Sequence, residues 1–272
     1  MYRLVVCDMD GTLLNSAGMV SERTKKALKK LFEKNIHVAI ATGRIYTSAR
    51  IYAKYLGLIT PIIACNGGIV KDLANDRIIY DSPIRKEDCL KIFDICKKNN
   101  IYFHFYTQDV FYTEKLEMLS LKYSEWNKTL KEEDRIDICV IQDAYAHLLQ
   151  NDEKIYKIQL NSNDLQLLAN VREKIEKIQT ITCSKSWYNN IEVMNQNVSK
   201  GNAVRHLAES LGVKREEVVC FGDNENDISM LSYAGLGIAM GNAEDVVKEQ
   251  ADYVTITNDE DGVAVALEKF VL

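Results

Sequence analysis

The chain has 272 residues, 47% of them apolar, and a formal net charge of -5. That is enough for two domains with cores of their own, while the acidic balance and the absence of a basic tract argue against a nucleic-acid partner. Seven cysteines without Cys-x-x-Cys spacing read as small core residues of a reduced compartment, and no apolar run approaches the ~18 residues of a membrane span.

A short apolar run, Leu4-Val5-Val6, opens the chain with no leader ahead of it, so the expected setting is cytoplasmic. The run empties into Cys7-Asp8-Met9-Asp10-Gly11-Thr12, which reads as a buried strand ending in a loop. On an extended backbone Asp8 and Asp10 point to one side and Met9 to the other. Two carboxylates ~4 Å apart repel by about 4 kcal/mol at an effective dielectric near 20, so a cation or a shared proton is expected with them. Asp-x-Asp-Gly is also good turn chemistry, and the choice between the two readings rests on the rest of the chain.

Ser21 is placed to cap a helix running to about residue 34, with Ala27, Leu28, Leu31 and Phe32 as its apolar face. A second strand at 38–41 ends in Thr42-Gly43-Arg44 and leads to a helix that Gly57 closes, and a third at 61–65 ends in Asn66-Gly67-Gly68. Alternation of strand and helix predicts a parallel sheet. Residues 69–80 read as a hairpin around Ala74-Asn75-Asp76, and Ser82-Pro83 marks a boundary.

The pattern then changes. A helix to about residue 98, strands at 101–106 and 110–113, a charged helical stretch over 114–133, and strands near 139–141 and at 155–160 come first. A helix over 164–178 capped by Ser162 or Asn163, and strands at 180–183 and 191–194, complete the segment. Strict alternation in the strands suits an antiparallel sheet covered on one side by helices, and the expected organisation is a core of residues 1–83 and 190–272 with an inserted α+β domain at 84–189.

The parallel pattern resumes with a helix that Ser199 caps and Leu211-Gly212 closes. The apolar strand at 218–221 runs into Gly222-Asp223-Asn224-Glu225-Asn226-Asp227. A short helix at 228–233, a strand at 236–239 before Gly241-Asn242, another helix, a strand at 253–256 and a helix at 263–270 follow. Loops at the ends of five proposed parallel strands thus share one edge of a sheet. Asp8, Asp10, Asp223 and Asp227 with Asn226 make a hard oxygen site suited to Mg²⁺. Thr42 and the amides after Gly43 suit phosphoryl oxygens, and Lys200 supplies a cation at a helix start, where the helix dipole disfavours one unless an anion is bound.

These four motifs, in this order, resemble the haloacid-dehalogenase-like superfamily of phosphotransferases. Asp8 to Leu13 is similar to its first motif, Thr42 to its second, Lys200 to its third and Gly222 to Asp227 to its fourth. The insertion, with Asn66-Gly67-Gly68 before it and Asn190-Ile191-Glu192-Val193 after it, resembles the type IIB cap of the sugar-phosphate (Cof-like) phosphatases, although the family usually has Asn-Gly-Ala at the first of these places. The resemblance implies an α/β fold, a Rossmann-like parallel-sheet core with an inserted α+β cap. It also implies Asp8 as nucleophile, Asp10 as acid and base, and Mg²⁺ held by Asp8, the Asp10 carbonyl and Asp223. Thr42, Gly43, Lys200 and Asn226 would bind the phosphoryl group, and Asp227 would orient Lys200 or a metal-bound water. Asp10 argues against a dehalogenase, since those members lack an acid two residues after the nucleophile.

The expected activity is Mg²⁺-dependent hydrolysis of a small phosphorylated metabolite through an aspartyl-phosphate. The alternatives are a phosphomutase of the same superfamily or a phospho-ligand sensor with vestigial catalysis. A calcium loop at Asp223 is set aside because Ile228 stands where a glycine is needed and Ala234 where the bidentate Glu belongs. The four histidines lack ligand spacing; His104 shares a strand face with Tyr106, where packing and substrate contact both remain open. Oligomeric state leaves no trace in the sequence.

Overall fold

The computed structural model describes all 272 residues. β1 (Leu4–Asp8) is buried along its whole length, as befits a central strand of a parallel sheet covered on both faces. In α1 (Glu22–Glu33) the Ser21 hydroxyl accepts from the Thr24 backbone N–H, the cap expected. Its buried stripe is Thr24, Ala27, Leu28 and Leu31, and Phe32 lies at the edge of that stripe with 40% of its surface exposed. β2 (His37–Ala41), α2 (Tyr46–Tyr55), β3 (Pro61–Ala64) and the hairpin of β4 (Ile69–Asp72) and β5 (Ile78–Asp81) follow in the expected order. Gly57 closes α2 with φ 64°, a conformation that favours glycine.

The second sheet is built from α3 (Lys86–Lys98), β6 (Tyr102–Tyr106), β7 (Val110–Thr113), α4 (Met118–Asn127), β8 (Asp137–Val140) and α5 (Ala144–Gln150). β9 (Lys157–Asn161), α6 (Leu165–Glu176), β10 (Ile181–Ser184) and β11 (Asn190–Asn195) complete it. The six strands lie in the order β10-β11-β9-β6-β7-β8. All pairs are antiparallel except β7 with β8, which is parallel because α4 makes the crossover that a parallel pair requires. Phe103, Phe105, Ile158, Leu160, Ile191 and Val193 face a core completed by Ile92 and Phe93 of α3, Leu148 of α5 and Val171 of α6.

Three details depart from expectation. The charged stretch over 114–133 is helical only at Met118–Asn127, and a 3-10 turn follows at Glu132–Asp134. Asp164, not Ser162 or Asn163, caps α6 by accepting from the Leu167 N–H at 2.9 Å. The sequence carries no periodic signal for α5: it is seven residues long and rests on the Asp143 cap and two buried side chains, Ala144 and Leu148, too few to mark a helical period.

The chain then returns to the first sheet through α7 (Lys200–Ser210), β12 (Val218–Gly222), α8 (Ile228–Tyr233), β13 (Leu236–Ala239), α9 (Asp245–Lys248), β14 (Tyr253–Val254) and α10 (Gly262–Phe270). The strand order is β14-β13-β12-β1-β2-β3-β4-β5. It is parallel from β14 through β3, with the last two strands antiparallel. Leu4, Val6, Ala39 and Val218 pack against Ala203, Val204 and Leu207 of α7 on one face.

Two compact units result: Met1–Arg44, Tyr52–Asp81 and Ser199–Leu272 form the first, and Ile45–Ile51 with Ser82–Val198 the second. The inserted segment therefore extends past residue 189, because β11 pairs with β9 on one side and β10 on the other. The short segment Ile45–Ile51, expected in the core, also groups with the second unit.

Candidate active site

The site grows from the end of β1. Its register sets Cys7 beside Ile40 of β2 and Phe221 of β12, so the loops after these three strands leave the sheet together. Asp8 and Met9 are both buried, whereas the Asp10 side chain is 54% exposed, because the strand ends at Asp8 and the chain turns at Met9. Gly11 then turns the chain with φ 86°, and a Cβ there would overlap the Asp223 carboxylate. Only glycine allows this approach. The Thr12 hydroxyl donates to Asp223 Oδ1 at 2.7 Å, tying the first loop to the loop after β12.

Lys200 opens α7, where the Ser199 hydroxyl accepts from the Asn202 N–H. Its side chain is 1% exposed, and Nζ donates to Asp8 Oδ1 at 2.5 Å and to Asp227 Oδ1 at 2.6 Å. The other oxygen of Asp227 accepts from the backbone N–H groups of Asp223 and Asn224 at 2.9 and 3.0 Å. Asp227 thereby braces both the lysine and the loop that carries Asp223. Asp223 Oδ2 accepts from Asn224 Nδ2 at 2.9 Å.

Carboxylate oxygens of Asp8, Asp223 and Asp227 all lie within 4.8 Å of one another. Three acids around one lysine leave an excess of buried negative charge. Burial pushes the Asp8 carboxyl well above its usual range; Lys200 works in the opposite direction, and Asp227, Asp223 and Asp10 add to the rise. Asp223 is pushed up to about 7, first by burial and then by Asp227, with the Thr12 hydrogen bond and Lys200 opposing. For Lys200 burial disfavours the charge, but Asp227 and Asp8 outweigh it and hold the ammonium protonated. This hard, crowded, oxygen-only set fits a divalent cation such as Mg²⁺. Carboxylate oxygens of Asp8, Asp223 and Asp227 are the donors the arrangement offers.

Thr42 is fully buried at the end of β2, and its hydroxyl accepts from the Arg44 N–H at 3.1 Å. The helix expected after Thr42-Gly43-Arg44 begins at Tyr46, and the Arg44 amide ahead of it serves Thr42. Asn226 donates through Nδ2 to Asn66 Oδ1 at 3.0 Å, and its buried Oδ1 has no partner. Asn66 itself sits at φ 57° in the left-handed region. Asp8, Asp10, Thr42, Gly43, Lys200, Asp223, Asn226 and Asp227 thus lie on strand ends, loops or a helix start at one edge of the first sheet. Two participants were not given roles from sequence, Thr12 and Arg44. Each had a signal of a kind, being the polar neighbour of a singled-out motif residue. In the second unit His104 is fully buried, stacked on Phe111 with centroids 4.6 Å apart.

Fold and donor set define the class, an α/β enzyme of phosphoryl transfer. The profile of haloacid dehalogenase-like hydrolases matches residues 5–267. A 5-amino-6-(5-phospho-D-ribitylamino)uracil phosphatase, YcsE of Bacillus subtilis, is 32% identical over 270 residues, covering 99% of this chain and 96% of the relative. The pyridoxal phosphate phosphatase YbhA of Escherichia coli is 30% identical over 262 residues, 96% of each. Among solved structures, a haloacid dehalogenase-like hydrolase from B. subtilis superposes with a TM-score of 0.88 at 30% identity, covering 99% of this chain and 100% of that one. The chain belongs to the haloacid dehalogenase-like hydrolase family, and it is a phosphatase whose relatives act on small phosphorylated molecules. No helix in it is long and apolar enough to cross a membrane.

Proposed function

We propose that the protein is a Mg²⁺-dependent phosphomonoester hydrolase that works through an aspartyl-phosphate on Asp8. The observation that carries this reading is the buried Lys200 shared between Asp8 and Asp227 beside Asp223, with Asp10 outside the buried cluster. Lys200 holds one oxygen of Asp8 and leaves the other to attack phosphorus. An O–P bond forms to Asp8 as the bond from phosphorus to the leaving oxygen breaks, and Asp10 gives that oxygen a proton. In the second half Asp10 takes a proton from water as the water oxygen bonds to phosphorus and Asp8 departs. Thr42, Gly43, Lys200 and Asn226 bind the phosphoryl oxygens, Asn226 by turning its amide from Asn66. Asp8, Asp223 and the Asp10 carbonyl would hold a Mg²⁺ ion, which would supply positive charge against the phosphoryl group.

The substrate class we favour is a phosphate ester of a small polar metabolite, in line with the relatives' ribitylaminouracil and pyridoxal phosphates. The seven free thiols, five of them buried, support a reduced, cytoplasmic setting. The test is phosphate release from p-nitrophenyl phosphate and a phosphometabolite panel, with and without Mg²⁺, for wild type and Asp8→Asn. Magnesium-dependent release that the substitution abolishes supports the reading. Isomer interconversion without net release would replace it with a mutase, and ligand binding without turnover with a sensor.

A further inference from the structure

Arg44 follows Thr42-Gly43, and the bond from its own N–H back to the Thr42 hydroxyl turns the chain so that its side chain reaches the loop after β1. There the guanidinium grips Asp10 with two parallel bonds, Nε to Oδ2 at 2.8 Å and Nη2 to Oδ1 at 2.6 Å. Its central carbon lies 4.7 Å from the centroid of the Tyr52 ring in α2. An ordinary surface ion pair fixes little, because two long side chains lose entropy for a screened attraction. This pair differs in geometry: a planar fork matched to a carboxylate and backed by an aromatic face holds orientation as well as charge.

The carboxylate so held is the one proposed to exchange protons with substrate and water. More than half exposed, it would turn freely about its side-chain torsions without a brace. A carboxylate has about four acceptor sites and the fork uses one on each oxygen, so an acceptor site on each remains for the travelling proton. We propose that Arg44 is a positioning residue for Asp10: it fixes the plane of that carboxylate so that one oxygen faces the leaving group and later the water. The inference rests on the hydrolase reading above and concerns the acid step within it.

The test exploits the leaving group. p-Nitrophenolate departs as an anion and needs little help from an acid, whereas an alkyl or sugar oxygen needs its proton. kcat/KM reports the steps up to and including transfer to Asp8. We expect Arg44→Met to lower kcat/KM for an alkyl phosphate by about 10- to 100-fold, part of the ~10²–10⁴ that general acid catalysis contributes. The loss on p-nitrophenyl phosphate should be under about threefold, Arg44→Lys should recover part of the alkyl activity, and Asp10→Asn should show the same dependence on leaving group. In the Asp10→Asn background, Arg44→Met should cost nothing further.

Equal losses on both substrates, carried in KM, would mean that Arg44 binds the phosphoryl group itself and would overturn the proposal. So would a further loss in the Asp10→Asn background, or unchanged kinetics in Arg44→Met. A misfolded Arg44→Met would lose both substrates together, and the Arg44→Lys enzyme then decides by its ratio of alkyl to aryl activity. Wild-type enzyme that releases no phosphate from either substrate, or whose release survives Asp8→Asn, defeats the hydrolase reading and this inference with it. Active wild type with a defect independent of the leaving group defeats this inference alone.

Discussion

Lys200 in the first unit and Lys157 in the second are each 1% exposed and each bonded to a carboxylate, Lys157 to Glu192 Oε1 at 2.7 Å. Their surroundings differ. Around Lys200 three acids crowd within 4.8 Å of one another, and burial first, then their mutual repulsion, drives two of them away from their usual ionisation. Around Lys157 the neighbours on the sheet face are Tyr106, whose ring lies 5.1 Å from Nζ, and His104, which burial and then Lys157 keep neutral. Ser186 adds a hydroxyl bond to the same Glu192 oxygen. A buried lysine–carboxylate pair is therefore no mark of a site in itself. Uncompensated charge is, because it stores an attraction for a ligand cation or a shifting proton.

The largest effect that would break this contrast is on turnover. Asp8→Asn should lower phosphate release by about 10³-fold or more, since it removes the proposed nucleophile; steady-state assays at saturating Mg²⁺ read this directly. Next in size is the response to apolar replacement. Lys157→Met alone should destabilise by about 3–5 kcal/mol in urea unfolding, because Glu192 is stranded in the interior. Lys157→Met with Glu192→Leu should return stability to near wild type. The parallel double change, Lys200→Met with Asp227→Leu, should remain destabilised, for it strands Asp8 and the two backbone amides that Asp227 now satisfies. Equal recovery in both units would erase the distinction.

Metal binding sharpens the same point. Mg²⁺ at ~100 times its dissociation constant should stabilise the wild type by about 2.7 kcal/mol, seen as a rise in melting temperature that Asp223→Asn removes. In the second unit the signature is acid sensitivity. His104 is held well below its ordinary value of 6.5 by burial and then by Lys157, so below pH 6.5 the unfolded chain binds a proton that the native state refuses. Stability should fall as pH drops through that region, by up to about 1.4 kcal/mol per pH unit. His104→Gln should flatten this slope in urea titrations at pH 7 and 5.5. The smallest effects are at the helix caps. Ser199→Ala and Asp164→Ala should each cost about 1 kcal/mol, but only Ser199→Ala should also reduce turnover, since it loosens the turn that starts with Lys200.

Much of this was written locally. Helix caps such as Ser21 and Ser199 and apolar runs such as residues 4–6 and 218–221 are short-range signals, and they placed the elements of the first sheet within a residue or two. The second unit carries weaker local signals. The charged stretch over 114–133 has no apolar stripe to mark where α4 begins and ends. A boundary at 189 separates β11 from the strands it pairs with, because alternation reveals a strand and not its partners.

By itself the sequence determined the donor types and their order. Asp8 and Asp10 stand at a spacing that puts both on one side of a strand end, Thr42 ends the next strand, Lys200 stands at a helix start, and Asp223 to Asp227 occupy one loop. Only the tertiary structure decided who meets whom: Lys200 between Asp8 and Asp227, Thr12 on Asp223, Arg44 on Asp10. Those pairings depend on strand order and register, which bring the two ends of the chain to one edge of a sheet, and on side-chain reach of a few ångströms across loops that no local pattern records.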